Sequence, residues 1–278
     1  MLFATQMAIF NLPSTRVPAI CPAKASSDTV YINESLQDYI EQLKHMKNES
    51  YSKLASVCGL RHASTLFFKY LEVFQSFPFQ RTAIRVQYLG ETNSDAQKAL
   101  KIVRGGTDDV ATAEAADLIV GEAANGLWFG CVYNALMHQK RGGSLILHVG
   151  DLFNAGAVQL LYLIAACYTS VCVYTPMMNT GQTKFIVASQ LHQNIELTAP
   201  PPYHFTPSQL FLTKLIEINT MIGQKRLEQT RFNTTCEYEC IIWKSKFLTG
   251  LHNMDFDADG GGNQVQERSK AAHGDAVD

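Results

Sequence analysis

The stretch from Arg141 to Ala188, RGGSLILHVGDLFNAGAVQLLYLIAACYTSVCVYTPMMNTGQTKFIVA, decides the fold of this chain. It contains three apolar runs of strand length and one longer apolar run that suits a buried helix. Gly150 and Pro176 each end one of the strand-like runs. In chain order the strand at 144–149 is followed by the helix at 158–167 and the strands at 171–174 and 184–188. Strands that alternate with a helix and are apolar on both faces indicate a largely parallel sheet covered by helices.

The same alternation extends upstream of Arg141. Apolar spacing predicts four helices, at 36–47, 62–77, 96–103 and 128–139. Three further strands are predicted at 52–59, 82–89 and 116–120. From the strand at 52–59 onwards the order, β-α-β-α-β-α-β-α-β-β, is typical of a Rossmann-like doubly wound α/β fold, which binds its ligand at the carboxyl ends of the strands.

The flanking segments differ in composition from this central part, and they predict four regions. Residues 1–34, rich in proline, form an N-terminal arm without regular structure, and residues 35–198 form the Rossmann-like domain. Residues 199–254 form a C-terminal helical extension, with a helix at 207–227 and either a strand or a helix at 240–243. Residues 255–278 are rich in glycine and charge and are predicted to be a disordered tail.

Composition restricts the class of protein. With 278 residues, 46% of them hydrophobic, the chain can bury a full core, and its net charge of −2 confines any nucleic-acid surface to a local patch. No uncharged apolar run reaches the length of a membrane span, and the first residues lack the basic region of a signal peptide. The seven cysteines are odd in number, and Cys58, Cys131, Cys167 and Cys172 lie in apolar runs. We therefore expect a reducing compartment, the cytoplasm or nucleus, rather than secretion.

Several motifs carry a resemblance to a known family. The pair Gly142–Gly143 opens a strand that ends at His148, Asp151-Leu-Phe forms the next loop, a Leu-Leu-Tyr-Leu helix segment follows at 160–163, and Val171-Cys-Val-Tyr-Thr-Pro is the next strand. In these motifs the chain resembles the FtsJ-like ribose 2′-O-methyltransferases, most closely the branch that methylates the mRNA cap in eukaryotes and large viruses. The resemblance covers about residues 35–190, and it implies the S-adenosylmethionine-dependent methyltransferase fold.

The resemblance also implies a cofactor site. The segment 56–59 falls where the family has its first strand and glycine-rich turn, and the segment 106–110 falls where it has a G-x-G-D-I stretch. It therefore implies that S-adenosylmethionine is bound by Cys58, Gly59, Asp108 and Asp109. The turn departs from the family pattern, because it keeps only one glycine and adds the bulky Leu60, Arg61 and His62.

The family transfers its methyl group with a Lys-Asp-Lys-Glu tetrad, in which a lysine of lowered pKa is the base. In this chain His148 stands at the central lysine position, Glu122 at the aspartate position and Thr183 at the glutamate position. The first lysine is expected about twenty residues before the glycine turn, near Gln37, where Lys44 and Lys47 are loose substitutes. His148 and Glu122 are therefore the candidate catalytic residues.

Each of these residues also has a structural interpretation. His148 can be a histidine at a strand end that a neighbouring carboxylate satisfies, and beside Glu122 we expect it to be a paired imidazolium. Glu122 can be a solvated loop carboxylate, and Asp151 can cap the helix that follows it.

Two functions follow from these observations. The first is a methyltransferase-like pseudoenzyme that binds RNA or a partner protein, and the second is an active RNA 2′-O-methyltransferase that uses His148 and Glu122. Capped RNA is the expected ligand, a capping or polymerase protein is the alternative partner, and no membrane or metal is expected. The basic residues of the C-terminal region fit either a solvated helix face or contact with RNA phosphates: Lys214, Lys225, Arg226, Arg231, Lys244 and Lys246.

Overall fold

The computed structural model describes residues 8–21, 50–60, 63–77, 84–90, 93–106, 115–122, 128–150, 152–177, 183–231, 237–248 and 251. These residues form a mixed α/β arrangement of strands and helices. In chain order the elements are β1 (Ala8–Asn11), α1 (Ser50–Cys58), α2 (Thr65–Ser76), β2 (Val86–Leu89), α3 (Asn93–Val103), β3 (Leu118–Glu122), α4 (Trp128–His138), β4 (Ser144–Val149), α5 (Ala155–Cys167), β5 (Tyr168–Thr175), β6 (Lys184–Leu191), α6 (Gln209–Arg231) and α7 (Glu237–Leu248). In this part of the chain no helix is long and apolar enough to cross a membrane.

The six strands form one sheet in the order β1-β5-β6-β4-β3-β2. β2, β3 and β4 are parallel neighbours. β6 lies between β4 and β5 and is antiparallel to both, so β5 runs in the same direction as β4. β1 pairs antiparallel with β5 at the edge. The α/β class is thus confirmed, but the predicted mostly parallel sheet is a mixed one, in which β6 and β1 are antiparallel to their neighbours.

Helices cover both faces of the sheet because its central strands are apolar on both sides. In β4, Leu145 and Leu147 belong to one core and Ile146 to the other. The first core is completed by α4, α5 and α6, and the second by α1, α2, α3 and α7. Consecutive strand residues point to opposite faces, so this continuous apolar run places a helical layer on each face.

Helix α5 is the most deeply buried helix of the first core. Its residues 157–167 are all buried, because the segment is apolar on almost every side and α6 covers the side that the sheet leaves open. Phe211 of α6 meets Tyr162 of α5 edge to face, with ring centroids 5.0 Å apart. Asn154 caps α5, since its side chain accepts a hydrogen bond from the Ala157 N–H at 2.8 Å. The expectation that Asp151 caps this helix is therefore wrong.

The elements predicted around the opening stretch are confirmed with shifted bounds. The predicted strands at 82–89, 116–120, 144–149, 171–174 and 184–188 are β2 to β6, and the predicted helices at 62–77, 96–103, 128–139, 158–167 and 207–227 are α2 to α6. The sequence allowed either a strand or a helix at 240–243, and in the structure these residues lie in the helix α7.

The predicted first strand at 52–59 is wrong, because this segment is the helix α1. Tyr51, Leu54 and Ala55 have helical spacing and are buried together, whereas their neighbours between them are exposed. Gly59 has a φ of +75° and ends the helix, and the Leu60 N–H reaches back to the Ala55 carbonyl at 2.9 Å, as in a Schellman motif.

Part of the N-terminal arm is also more regular than predicted. Residues 8–11 form β1, in which Ala8 pairs with Thr175 and Asn11 with Cys172. The next residue, Leu12, donates its N–H to the Val171 carbonyl at 2.9 Å and is buried in the first core. The predicted helix at 36–47 and the predicted tail at 255–278 lie outside the described residues.

Candidate functional site

The candidate site lies at the edge of the sheet where the parallel strands end. β3 ends at Glu122, and β4 carries His148 one residue before its end. Because β6 is antiparallel, its first residue, Lys184, reaches the same edge and pairs with Val149. Topology therefore brings an acid, an imidazole and an amine together at the carboxyl edge of the sheet.

Glu122 and His148 are register partners in β3 and β4. His148 Nδ1 lies 3.5 Å from Glu122 Oε1, and only 14% and 16% of the two side chains is exposed. Aromatic rings enclose the imidazole, with ring centroids 5.2 Å away at Phe185 and 6.2 Å away at Tyr70. The geometry at Nδ1 makes this a close contact rather than a hydrogen bond, and the described residues offer Nδ1 no other partner.

The surroundings of His148 keep its imidazole neutral. Burial lowers its pKa to about 4, the charge of Lys69 acts in the same direction, and Glu122 opposes both. Desolvation disfavours the charged form of a buried base, and here it outweighs one nearby carboxylate. These effects shift the pKa of His148 downward and favour the neutral imidazole over the expected paired imidazolium.

Helix α2 supplies a buried lysine to the same place. Lys69 is 5% exposed, and its Nζ donates to Thr183 Oγ1 at 2.9 Å. The same nitrogen lies 5.7 Å from the centre of the Tyr51 ring. Thr183 directly precedes β6, which pairs with β4 beside His148, and Tyr70, the neighbour of Lys69 in α2, contacts the imidazole. Lys69, His148, Glu122 and Thr183 thus lie in one polar cluster.

A second buried lysine lies beside this cluster. Lys184 is 1% exposed, and its Nζ donates to the Gly150 carbonyl at 3.2 Å and lies 5.3 Å from the centre of the Phe153 ring. Gly150 and Phe153 flank the loop that follows β4. The edge of the sheet therefore holds the amines of two buried lysines in place.

Of the site residues predicted from the sequence, Glu122, His148 and Thr183 come together. Cys58 and Gly59 do not follow a strand, because they lie at the end of helix α1, so the strand on which their prediction as a cofactor turn rested is absent there. Burial raises the pKa of the Cys58 thiol to about 11, with Lys244 lowering it and Cys240 raising it. Leu60 is buried in the second core.

Other predicted residues lie outside the described part of the chain: Asp108, Asp109, Asp151, Gln37, Lys44, Lys47, Arg61 and His62.

Two residues of this region were missed from the sequence. Gly90 follows β2, the first strand of the parallel series, and has a φ of +115°. A Cβ atom on it would lie 3.1 Å from the Glu122 Cβ, so the bare backbone is needed where the two strands end. Lys69 lies about twenty residues before Gly90. The strand predicted at 82–89, which ends directly before Gly90, is the sequence signal for the position of both residues.

No protein-family model matches the chain, and a search of curated proteins also finds no match.

The arrangement suits binding more readily than proton abstraction. Two buried lysine amines and one carboxylate are held in place, and a neutral imidazole offers a nitrogen that can accept a hydrogen bond. A base is efficient when its pKa lies near the working pH, and that of His148 lies about three units below neutrality.

Proposed function

We propose that this chain is an FtsJ-like methyltransferase-fold protein, related to the mRNA cap 2′-O-methyltransferases, that binds capped RNA without methylating it. The observation that carries the proposal is the polar cluster of Lys69, Glu122, His148 and Thr183 at the carboxyl edge of the sheet. Three of these residues stand at tetrad positions inferred from the sequence motifs, and the fold brings all of them together.

The sheet supports the proposed fold. A doubly wound fold has parallel strands with helices on both faces, and it binds its ligand at the carboxyl ends of those strands. Here β2, β3, β4 and β5 run in one direction, with the antiparallel β6 between β4 and β5. β2 then corresponds to the first strand of the family and Gly90 to its glycine turn.

This correspondence gives the tetrad a first lysine. Lys69 lies about twenty residues before Gly90, which is the spacing the family has between its first lysine and the turn. Its hydrogen bond to Thr183 joins the first and last tetrad positions. The cluster therefore keeps one lysine of the family's pattern and replaces the other three residues.

The histidine at the central lysine position of the tetrad, His148, argues against methyl transfer. A ribose hydroxyl is a very weak acid, and its proton must be taken up as the methyl group is transferred. The His148 imidazole, with a pKa of about 4, is a far weaker base than an amine whose ordinary pKa is about 10. The site is therefore expected to bind its ligand and leave the hydroxyl unmethylated.

Lys69 and Lys184 support RNA as the ligand. The net charge of −2 offers no general attraction for phosphates, so binding has to rest on local cations. Both lysines are at the edge of the sheet where this fold binds ligands. Buried ammonium groups keep more of their electrostatic strength than exposed ones, because water screens them less.

S-adenosylmethionine is the second ligand that we propose for this site. Gly90 allows β2 and β3 to end close together, and the Glu122 carboxylate beside it suits the positive sulfonium group. These two residues would hold the cofactor, which supplies the methyl group in the family's reaction.

The test compares binding with transfer. Fluorescence anisotropy measures the affinity for a short capped RNA, and a radiolabelled S-adenosylmethionine assay measures methylation of the same RNA. We expect the wild type to bind the RNA and to transfer no methyl group, and Lys69→Met to weaken binding severalfold. The matched control is Lys214→Met, since Lys214 is only partly buried on α6 and is paired with Glu217 at 2.8 Å. An RNA affinity that Lys69→Met and Lys214→Met leave equally unchanged contradicts the proposal.

One observation favours the active enzyme as a second candidate. Lys69 is buried beside His148, so that an amine is present even though the central lysine is not. Methyl transfer that is lost in both Lys69→Met and His148→Ala, with RNA binding retained in His148→Ala, would establish this candidate in place of the first.

A further inference from the structure

A second buried ionisable group of α2, Glu72, lies one turn after Lys69 and belongs to no predicted site. It is 1% exposed. Its carboxyl oxygens accept hydrogen bonds from the Trp243 Nε1–H of α7 at 2.7 Å, from the Tyr174 hydroxyl of β5 at 2.8 Å and from the Met177 N–H that follows β5. One side chain thus joins α2, the end of β5 and the C-terminal helix.

The hydroxyl groups around Glu72 form a short chain. Tyr174 Oη lies 3.1 Å from Ser76 Oγ, and either oxygen can be the donor. Ser76 Oγ also lies 2.7 Å from the Glu72 carbonyl oxygen and donates to it. Ser76 is one turn after Glu72 on the same helix, so the chain runs from the carboxyl group through Tyr174 and back to the backbone of α2.

This chain of hydrogen-bonded hydroxyl groups accommodates both protonation states of Glu72. In the ionised state the carboxylate accepts from Tyr174, Trp243 and Met177. In the protonated state the carboxyl O–H donates to Tyr174, whose own hydroxyl then donates to Ser76, while Trp243 and Met177 keep their bonds. Rotation of the Tyr174 hydroxyl connects the two arrangements, since a phenol O–H both donates and accepts.

The charged and ionisable groups that face Glu72 come from three other elements. Tyr51 of α1 and Tyr174 of β5 are phenols whose pKa is raised by burial and by Glu72, and Lys225 of α6 lowers the pKa of Glu72. Burial is the larger effect and raises the Glu72 pKa to about 7, against the hydrogen bonds of Trp243, Met177 and Tyr174. Both protonation states are therefore populated near neutral pH.

We propose that Glu72, Tyr174 and Ser76 form a proton-responsive contact that joins α7 and the end of β5 to α2, the helix that carries Lys69. Uptake of one proton by the Glu72 carboxyl group reverses the hydrogen bond to Tyr174 and removes a buried negative charge. Release of the proton restores the charge. The packing of α7 on α2 thereby depends on pH.

The direction of the effect follows from the raised pKa. A carboxyl group that is more easily protonated in the folded chain than in the unfolded chain contributes stability at low pH. That contribution is fully present below the ordinary value near 4.5 and is lost as the pH rises through about 7. We therefore expect the contact to be tightest under mildly acidic conditions and weaker above neutral pH.

Trp243 provides a direct measurement. The chain has two tryptophans, so Trp128→Phe leaves Trp243, whose indole N–H contacts Glu72, as the only one. In this variant we expect the tryptophan emission to change with a midpoint near pH 7. The same change should be absent in Trp128→Phe/Glu72→Gln, in which the group no longer titrates.

Two further variants should move the midpoint of the emission change in opposite directions. A purely structural role of Glu72 would not produce such shifts. Tyr174→Phe removes a donor to the ionised carboxylate, so the midpoint should rise. Ser76→Ala removes the group that accepts from Tyr174 in the protonated state, so the midpoint should fall. Emission that does not change between pH 5 and 9, or a transition that persists without Glu72, overturns the proposal. Ser76→Ala removes a single hydroxyl and keeps the test decisive if Glu72→Gln does not fold.

Discussion

His148 and Glu122 face each other across the parallel pair of β3 and β4, with 3.5 Å between His148 Nδ1 and Glu122 Oε1. An acid and a base at this distance commonly share a proton, yet burial and the charge of Lys69 keep the imidazole neutral. The charge state of the site is therefore set by α2 and by the aromatic rings around His148 as much as by the pair itself.

The pKa of His148 should respond in opposite directions to changes at its two neighbours. Lys69→Met removes a cation and should raise the pKa from about 4, whereas Glu122→Gln removes an anion and should lower it further. An NMR titration of the imidazole C–H signals, with His148→Ala to assign the signal, measures both shifts. A His148 signal that titrates near its ordinary value of about 6.5 contradicts the neutral imidazole.

The lowered pKa of His148 also predicts how this residue affects the stability of the folded chain at different pH values. Its pKa is lower in the folded chain than the ordinary 6.5, so its contribution is present above that value and is lost as the pH falls towards about 4. Urea unfolding of the wild type and of His148→Ala at pH 7 and pH 4.5 should show that His148 contributes less at pH 4.5.

The close approach of α4 to the sheet depends on Gly121. A Cβ atom at this position would lie 2.9 Å from Leu147 Cδ2 and 3.0 Å from Cys131 Sγ. Gly121→Ala should therefore lower the free energy of unfolding by about 1–3 kcal/mol, as overpacking in a core does. Chemical denaturation measures the change.

Gly130 provides the control for this substitution. It is exposed on α4, and a Cβ atom there would meet nothing within 4 Å. Gly130→Ala should raise the free energy of unfolding by about 0.5 kcal/mol, because alanine favours a helix over glycine. Equal losses in both variants would mean that the contact at Gly121 is not the cause.

The fold around β4 and α5 could be predicted from the sequence because local composition decides it. The apolar run of β4 is bounded by glycines, and α5 is too long and too apolar to be anything but a buried helix. The position of β6 between β4 and β5 could not be predicted, since strand order depends on pairings between segments distant in sequence. An apolar run is the same in a parallel and in an antiparallel pairing.

The error at α1 had consequences for the site. The segment 52–59 is short, and its apolar residues fit both a strand and one side of a helix, so that packing of Tyr51 and Leu54 in the second core decides the outcome. The prediction of a strand at 52–59 placed the expected glycine turn at Gly59, whereas the structure has a helix there. The lysine expected about twenty residues before that turn, near Gln37, therefore has no structural basis.

The pairing of Glu122 with His148 could be anticipated from the motifs, but its electrostatics could not. Desolvation of His148 depends on Tyr70 and Phe185, which come from α2 and β6. The charge that adds to it comes from Lys69, also on α2. Such effects arise only when distant segments pack together.

The cap of α5 allows a direct test of its N-terminal boundary. Asn154 Oδ1 accepts from the Ala157 N–H at 2.8 Å. Asn154→Ala should lower the free energy of unfolding by about 1 kcal/mol, whereas Asn154→Asp should cost little, because aspartate is an equally good cap. Thermal and urea unfolding measure both, and a larger loss for Asn154→Asp than for Asn154→Ala would contradict the assignment.

Helix α6 should be an integral part of the core of the α/β domain rather than an appended segment. Phe211 is fully buried against Tyr162 of α5, whereas its neighbour Leu210 is 71% exposed. Phe211→Ala should therefore lower the free energy of unfolding by about 3–5 kcal/mol, and Leu210→Ala should change it by no more than about 0.5 kcal/mol. Both variants should still unfold in one transition, since Phe211, Leu215 and Ile218 lie in the same core as β4 and α5. If Phe211→Ala instead gives two separate transitions by circular dichroism, α6 unfolds independently and the sheet is stable without it.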